Sequence, residues 1–245
     1  MSDGSLLFLV INMSKNADRW RRMEAALNDI NKHSRCDYIR IEGVDGRNMS
    51  DDSFTRKLLK PRKSLAGKTL CCLESGESWT YDGSISRSFP GLHLNGHWGY
   101  KGLTLSNMKC FFAAKSMAAA GECYNWYCVL EDDAELDMDV YKKIRGVINL
   151  NRDRDDVIPL DRRGLGDVGM RGQCGAAGVL YNRRIIDHVI GHMHPLSHFS
   201  IMNEKNFSKR TNLWDWKLHA YITAFGVRHS IHTIIPSGSQ GSTIS

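Results

Sequence analysis

A chain of 245 residues with 42% hydrophobic and 24% charged content carries enough apolar mass for one buried α/β core, and its composition excludes a disordered, collagenous or membrane-spanning protein. The net charge of +6 is spread over basic clusters such as Arg19-Arg22, Lys60-Lys63 and Arg152-Arg154, interleaved with acids. That lacks the single stripe of a nucleic-acid binder and leaves a modest positive field suited to a phosphorylated ligand.

Leu6 to Ile11 is the longest apolar run near the start, well short of the ~20 residues of a membrane span. The Met-Ser-Asp-Gly-Ser before it offers neither a basic region nor a small-residue cleavage site, so no signal peptide is expected. Leu6 to Asn12 predicts a first strand. Asn16 is a candidate cap for a helix with Trp20, Met23, Leu27 and Ile30 on one face. Tyr38 to Ile41 predicts a second strand, ending at Glu42-Gly43-Val44-Asp45-Gly46. Strand, helix and strand in that order open a parallel α/β sheet.

Asp51 to Lys60 reads as a short helix stopped by Pro61. From Glu74 to Lys101 the chain is rich in Gly, Ser, His and aromatics without a sustained period. A stretch that long is a functional loop, such as a lid over a site, or else it contains a hairpin. Helical period returns at Leu105, Met108 and Phe112, with Thr104 as a cap, and Trp126 to Leu130 is a short buried strand. A helix through Val140, Ile144 and Val147 follows, then strands at Val157 to Leu160 and Val179 to Tyr181, a helix over Arg183 to His192, a helix from Trp214, and a last strand at Ser230 to Ile235. No repeat or low-complexity tract divides the chain, so a single domain over residues 1–245 is the simplest reading. Seven cysteines, odd in number and without a C-x-x-C pair, argue against a zinc ribbon or disulfide framework and for reduced thiols in a cytoplasmic compartment.

The most informative segment is Trp126 to Asp133, where a buried strand stops at Glu131, Asp132 and Asp133. In an open α/β sheet ligands bind outside the carboxyl ends of strands, which would place these acids at the mouth of a site. Adjacent carboxylates repel one another unless a cation sits among them, and a hard ion with oxygen ligands, Mn²⁺ or Mg²⁺, suits them. Such ions usually share their shell with substrate phosphates, which points to a nucleotide substrate. The same acids also suit a solvated turn at the N-terminus of the next helix.

Other constellations carry less. Gly164-Leu-Gly166-Asp-Val-Gly169 matches the dinucleotide fingerprint, but it neither follows a strand directly nor opens a helix, so an NAD(P)-dependent oxidoreductase is a minor alternative. His192, His194 and His198 have a metal-like spacing without a matching carboxylate. Trp214-Asp215-Trp216 sets an acid between two indoles. It is either a helix start with core aromatics, or a sugar-packing surface with a carboxylate that takes a proton from a hydroxyl.

Several segments, in order from about residue 7 to 244, resemble glycosyltransferase family 25, the group of lipopolysaccharide-type glycosyltransferases and collagen galactosyltransferases. They are Val10-Ile11-Asn12 with Asp18-Arg19 and Arg22-Met23, Val44-Asp45-Gly46, Gly99 to Gly102 with Leu105-Ser106-Asn107, Val129 to Ala134, and Asp215, Gly226, Pro236, Gln240 and Ser242-Thr243-Ile244. Tyr100 and Asn107 stand where the family usually has Glu and His. The resemblance implies a GT-A architecture, one α/β domain on a mixed, mainly parallel sheet. It implies a metal-dependent, inverting transfer of a sugar from a nucleotide-diphosphate sugar, UDP-linked, to a hydroxyl of a glycan or glycoprotein acceptor. On that footing Asp133 is the principal metal ligand, with Asp132 as a second ligand and Glu131 and Asp132 toward the ribose. Asn12, Arg19 and Asp45 would contact the nucleoside or its phosphates, His232 is a further metal ligand, and Asp215 is the base. A non-catalytic sugar-binding module of the same fold remains the alternative, given Tyr100 and Asn107.

Overall fold

The structure, a computed structural model, describes residues 5–49, 52–55, 69–71, 78–80, 98–122, 124–161, 177–195, 197, 199–200 and 214–235. For residues 69–71, 78–80, 98–101, 215 and 216 it describes the backbone alone.

Strand β1 (Leu6–Asn12) is buried along its whole length, as the unbroken apolar run of a strand covered on both faces requires. A 3₁₀ turn, Ser14–Asn16, leads into α1 (Ala17–His33), which buries Met23, Leu27 and Ile30 as the spacing predicts. Strand β2 (Asp37–Glu42) pairs in parallel with β1, with Asn12 opposite Glu42 at the carboxyl end. Strands β3 (Thr69–Cys71) and β4 (Ser78–Thr80) form a separate antiparallel pair. Part of the segment expected to be a loop or hairpin is therefore strand, and 81–97 lies outside the described residues.

Helix α2 (Trp98–Ala119) starts well before the expected cap, and Thr104 is buried inside it. Glycines obscured this start. A Cβ on Gly102 would sit 2.2 Å from the Val44 carbonyl oxygen and 3.0 Å from the Gly46 nitrogen, so the glycine serves close approach within the helix. Strand β5 (Trp126–Glu131) lies on the other side of β1, in parallel, with Ile11 opposite Glu131. Helix α3 (Met138–Asn151) is capped by Asp137, whose side chain accepts the Val140 N–H at 2.7 Å. Strands β6 (Val157–Pro159) and β7 (Gly178–Asn182), a 3₁₀ turn, α4 (Ile186–Met193) and α5 (Trp214–Phe225) complete the set.

The five-stranded sheet has the order β2-β1-β5-β7-β6. Only β7 runs against its neighbours, so the sheet is mixed and mainly parallel in direction and flanked by helices, the α/β architecture expected from the sequence. Alternate residues of β1 and β5 enter two cores. Leu7, Leu9 and Val129 meet Met108 and Phe111 of α2 and Leu218 of α5, whereas Phe8, Val10 and Leu130 meet Leu27 of α1 and Ile144 of α3. Each such side chain, fully buried, contributes roughly 1.5–3 kcal/mol.

The last predicted strand, Ser230 to Ile235, does not form. His229 makes one parallel bridge to Val157, after which His232 N–H bonds the Pro159 carbonyl and both Ile234 and Ile235 bond the Leu160 carbonyl. That slip in register prevents a regular ladder. Cys36, Cys110 and Cys128 are buried free thiols, and burial pushes Cys36 up to about 12 and the other two higher still, so they pack as apolar groups. Among the described residues no helix is long and apolar enough to cross a membrane.

Candidate functional site

The carboxyl ends of β2, β1 and β5 lie side by side, and each delivers polar side chains to the same edge. Beyond β5 the chain turns at once, with Ala134 N–H bonded to the Glu131 carbonyl at 3.1 Å, which holds Asp132 and Asp133 in a tight turn beside β1. The next helix begins only at Met138 and takes its cap from Asp137, so these two acids do not serve as helix caps.

Asp132 is the hub. Asn12 Nδ2 donates to its Oδ2 at 2.6 Å, Asn16 Nδ2 donates to the same oxygen at 3.4 Å, and Arg19 donates to Oδ1 at 3.2 Å. Its side chain is only 9% exposed, and three donors fill most of the roughly four acceptor positions of a carboxylate. The same guanidinium nitrogen of Arg19 lies 3.8 Å from Asp133 Oδ2. One short piece of chain, from the end of β1 into the first turn of α1, thus supplies all three partners.

Two buried oxygens of this cluster have no hydrogen-bond partner, Asn12 Oδ1 and Asp133 Oδ1. Asn12 is 1% exposed, and its orientation is fixed because rotating the amide would set oxygen against Asp132 Oδ2. Leaving a buried acceptor unmet costs about 1–3 kcal/mol, and such groups call for an unseen ligand. Among the described residues no group of three or more His, Cys, Asp or Glu side chains is arranged to hold a metal by itself. The donor set nonetheless suits a hard cation that shares its shell with a substrate: one orphaned carboxylate oxygen on Asp133 and the neighbouring Asp132 carboxylate, bridged by Arg19.

On the other side of β1, Asp45 Oδ1 accepts the Arg47 N–H at 3.0 Å and Oδ2 pairs with Lys15 at 3.5 Å. The Arg47 amide, and then the Lys15 and Arg47 charges, outweigh burial and hold its carboxyl below the usual range. Ser14 ties the loop to β2, donating its N–H and hydroxyl to the Glu42 carboxylate at 2.9 and 2.7 Å. Lys15, Arg19 and Arg47 thus set cationic donors around the strand ends, each paired with an aspartate, and donors of that kind suit phosphate oxygens.

Of the predicted site residues, Asn12 and Arg19 both bond Asp132 and Arg19 also pairs with Asp133, Glu131 ends β5 beside them, and Asp45 flanks them across β1. Asp215 is the second residue of α5, and its side chain lies outside the described residues. His232 is placed elsewhere: β7 and β6 stand between it and β5, and its Nε2 shares a 3.1 Å hydrogen bond with Ser230 Oγ. His192 is buried and stacked on His188, and His198 and Gly164 to Gly169 lie outside the described residues. Asn107, a departure from the family pattern, turns back to the Leu103 carbonyl of its own helix at 3.0 Å.

The sequence reading missed Asn16, which makes no cap hydrogen bond and points to Asp132 instead. It also missed Ser106, whose hydroxyl donates to the Gly102 carbonyl at 2.7 Å and accepts the Val44 N–H at 2.8 Å, pinning the loop that carries Asp45 to α2. Only the Leu105-Ser106-Asn107 motif hinted at it.

No family model and no curated protein matches the chain. Among solved structures it is similar to a glycosyltransferase involved in the glycosylation of the major capsid of PBCV-1, at TM-score 0.46 and 8% identity, over 94% of this chain and 81% of that one. It is also similar to mouse xyloside xylosyltransferase 1 in its apo form, at TM-score 0.34 and 11% identity, over 96% of this chain and 97% of that one. Likeness at that level leaves the chemistry to be argued from the side chains themselves.

Proposed function

We propose that this chain is a glycosyltransferase that moves a sugar from a UDP-linked nucleotide sugar to a hydroxyl of a glycan or glycoprotein, with a divalent cation and with inversion. One observation carries the reading: Asn12, Arg19, Asp132 and Asp133 converge at the carboxyl ends of adjacent strands with two buried oxygens left unmet. A nucleotide diphosphate with its cation supplies both of the missing partners, a hydrogen-bond donor for Asn12 and a positive charge for Asp133.

Asp133 and Asp132 would hold Mn²⁺ or Mg²⁺, which when bound neutralises charge on the departing diphosphate. Asn12 and Glu131 face the nucleoside, and the cationic donors of Lys15, Arg19 and Arg47 meet the phosphates. Asp215 takes the proton of the acceptor hydroxyl as its oxygen bonds the anomeric carbon. The bond from that carbon to the diphosphate oxygen breaks, and its electron pair leaves with the nucleoside diphosphate. His232, on the far side of β6, is not needed in this scheme.

The test is release of nucleoside diphosphate from a panel of nucleotide sugars with a glycan acceptor, with Mn²⁺ or with EDTA. Metal-dependent release is expected. Binding without release would favour the non-catalytic module, and binding of NAD(P) without a divalent ion would favour the oxidoreductase.

A further inference from the structure

Arg19 makes ion pairs with Asp132 and Asp133, and among the described residues with nothing else, through one guanidinium nitrogen at 3.2 and 3.8 Å. Arg19 offsets one of the two carboxylate charges it touches, which weakens their pull on a divalent ion. The contact is monodentate on a long side chain at the edge of the site, 29% exposed, so it can be exchanged. Asp132 would not move if it were. Its Oδ2 is held separately by Asn12 and Asn16. Release of Arg19 would free Asp132 Oδ1 and Asp133 Oδ2 beside the already unmet Asp133 Oδ1, turning a closed pair into a three-oxygen cation site. The planar guanidinium matches phosphate oxygens better than a single carboxylate oxygen, so an arriving diphosphate is the natural destination.

We propose, resting on the site reading above, that Arg19 is a built-in counter-charge that keeps the cation out until a nucleoside diphosphate claims it, so that cation and diphosphate bind together and the cation alone binds poorly. Linkage then requires the diphosphate to strengthen cation binding by the same factor as the reverse, ordinarily about 5–150-fold.

The experiment is Mn²⁺ binding by the full chain, followed by electron paramagnetic resonance of free Mn²⁺, with and without UDP, in wild type, R19Q, R19K and D133N. In wild type UDP should strengthen Mn²⁺ binding at least about fivefold. In R19Q Mn²⁺ alone should bind at least about fivefold tighter than in wild type, and the UDP effect should shrink. R19K, which keeps the charge, should stay close to wild type. Equal Mn²⁺ affinity with and without UDP in wild type would overturn the proposal, as would an R19Q variant that binds Mn²⁺ alone no better. If D133N kept UDP-dependent Mn²⁺ binding, the site reading itself would fall, an outcome distinct from failure of the Arg19 role alone.

Discussion

Two margins of the sheet gather aspartates and arginines, and they differ in whether the charges are met from within. At the amino edge of β6, Asp156 accepts from Arg184 and from Arg228, the latter at 3.0 Å, and Asp155 accepts the Ser230 hydroxyl at 2.6 Å. Among the described residues neither acid buries an oxygen without a partner. At the carboxyl edge of β1 and β5, Asn12 and Asp133 each bury an oxygen without a partner. Density of charge therefore does not separate the two margins, whereas unmet acceptors at the carboxyl ends of strands do. The amino-edge cluster has the chemistry of a brace, joining β6, the turn before α4 and the tail segment from Arg228.

The contrast is most exposed to D133N. Turnover should fall by about 10²–10⁴ and donor binding should weaken with it, while the melting temperature stays level or rises because the like charge beside Asp132 is gone. Steady-state kinetics beside a thermal melt decides this, and retained turnover would erase the functional side of the contrast. D215N should lower kcat by about 10²–10⁴ and leave donor binding intact, which would extend the site to the start of α5. Full turnover in D215N would remove Asp215 as the base.

D156N should do the reverse of D133N. Removing a carboxylate shared by two half-exposed arginines should cost about 1–2 kcal/mol, or roughly 2–8 °C in melting temperature, with activity per folded molecule unchanged. Loss of activity in folded D156N would make the brace part of the site. The smallest effect is on acid stability. Burial alone would raise the Asp156 carboxyl, but hydrogen bonds from Arg228 and Arg184 outweigh it and hold the group below its ordinary range. With the folded value depressed below the ~3.9 of an unfolded aspartate, its contribution is full above that pH and lost as pH falls through the folded value. Melting temperatures taken from about pH 5 to pH 3 should therefore fall less steeply in D156N than in wild type.

Much of the parallel half of the fold was legible, because β1 and β5 are continuous apolar runs and α1 keeps one periodic face. The acids at the end of β5 were legible as chemistry for the same reason, since they interrupt such a run. The start of α2 was hidden in part by Gly102, which serves close packing against Val44 and Gly46 that no local propensity reveals. The reversal of β7 and the slipped segment after His229 depend on pairing partners distant in sequence. Asn16 was read as a cap because Asn at a helix start usually is one, and its turn toward Asp132 depends on a contact 116 residues away.

The most direct test is thermal stabilisation by UDP-sugars with Mn²⁺ and with EDTA, in wild type and D133N. At about 100 times Kd a ligand selective for the folded chain contributes about 2.7 kcal/mol, or roughly 5–10 °C for a chain of this size. Stabilisation by a UDP-sugar in wild type with Mn²⁺, lost both with EDTA and in D133N, is the expected result. An equal shift in D133N, or none with any UDP-sugar, would contradict the assignment of the carboxyl edge of β1 and β5 as the donor site.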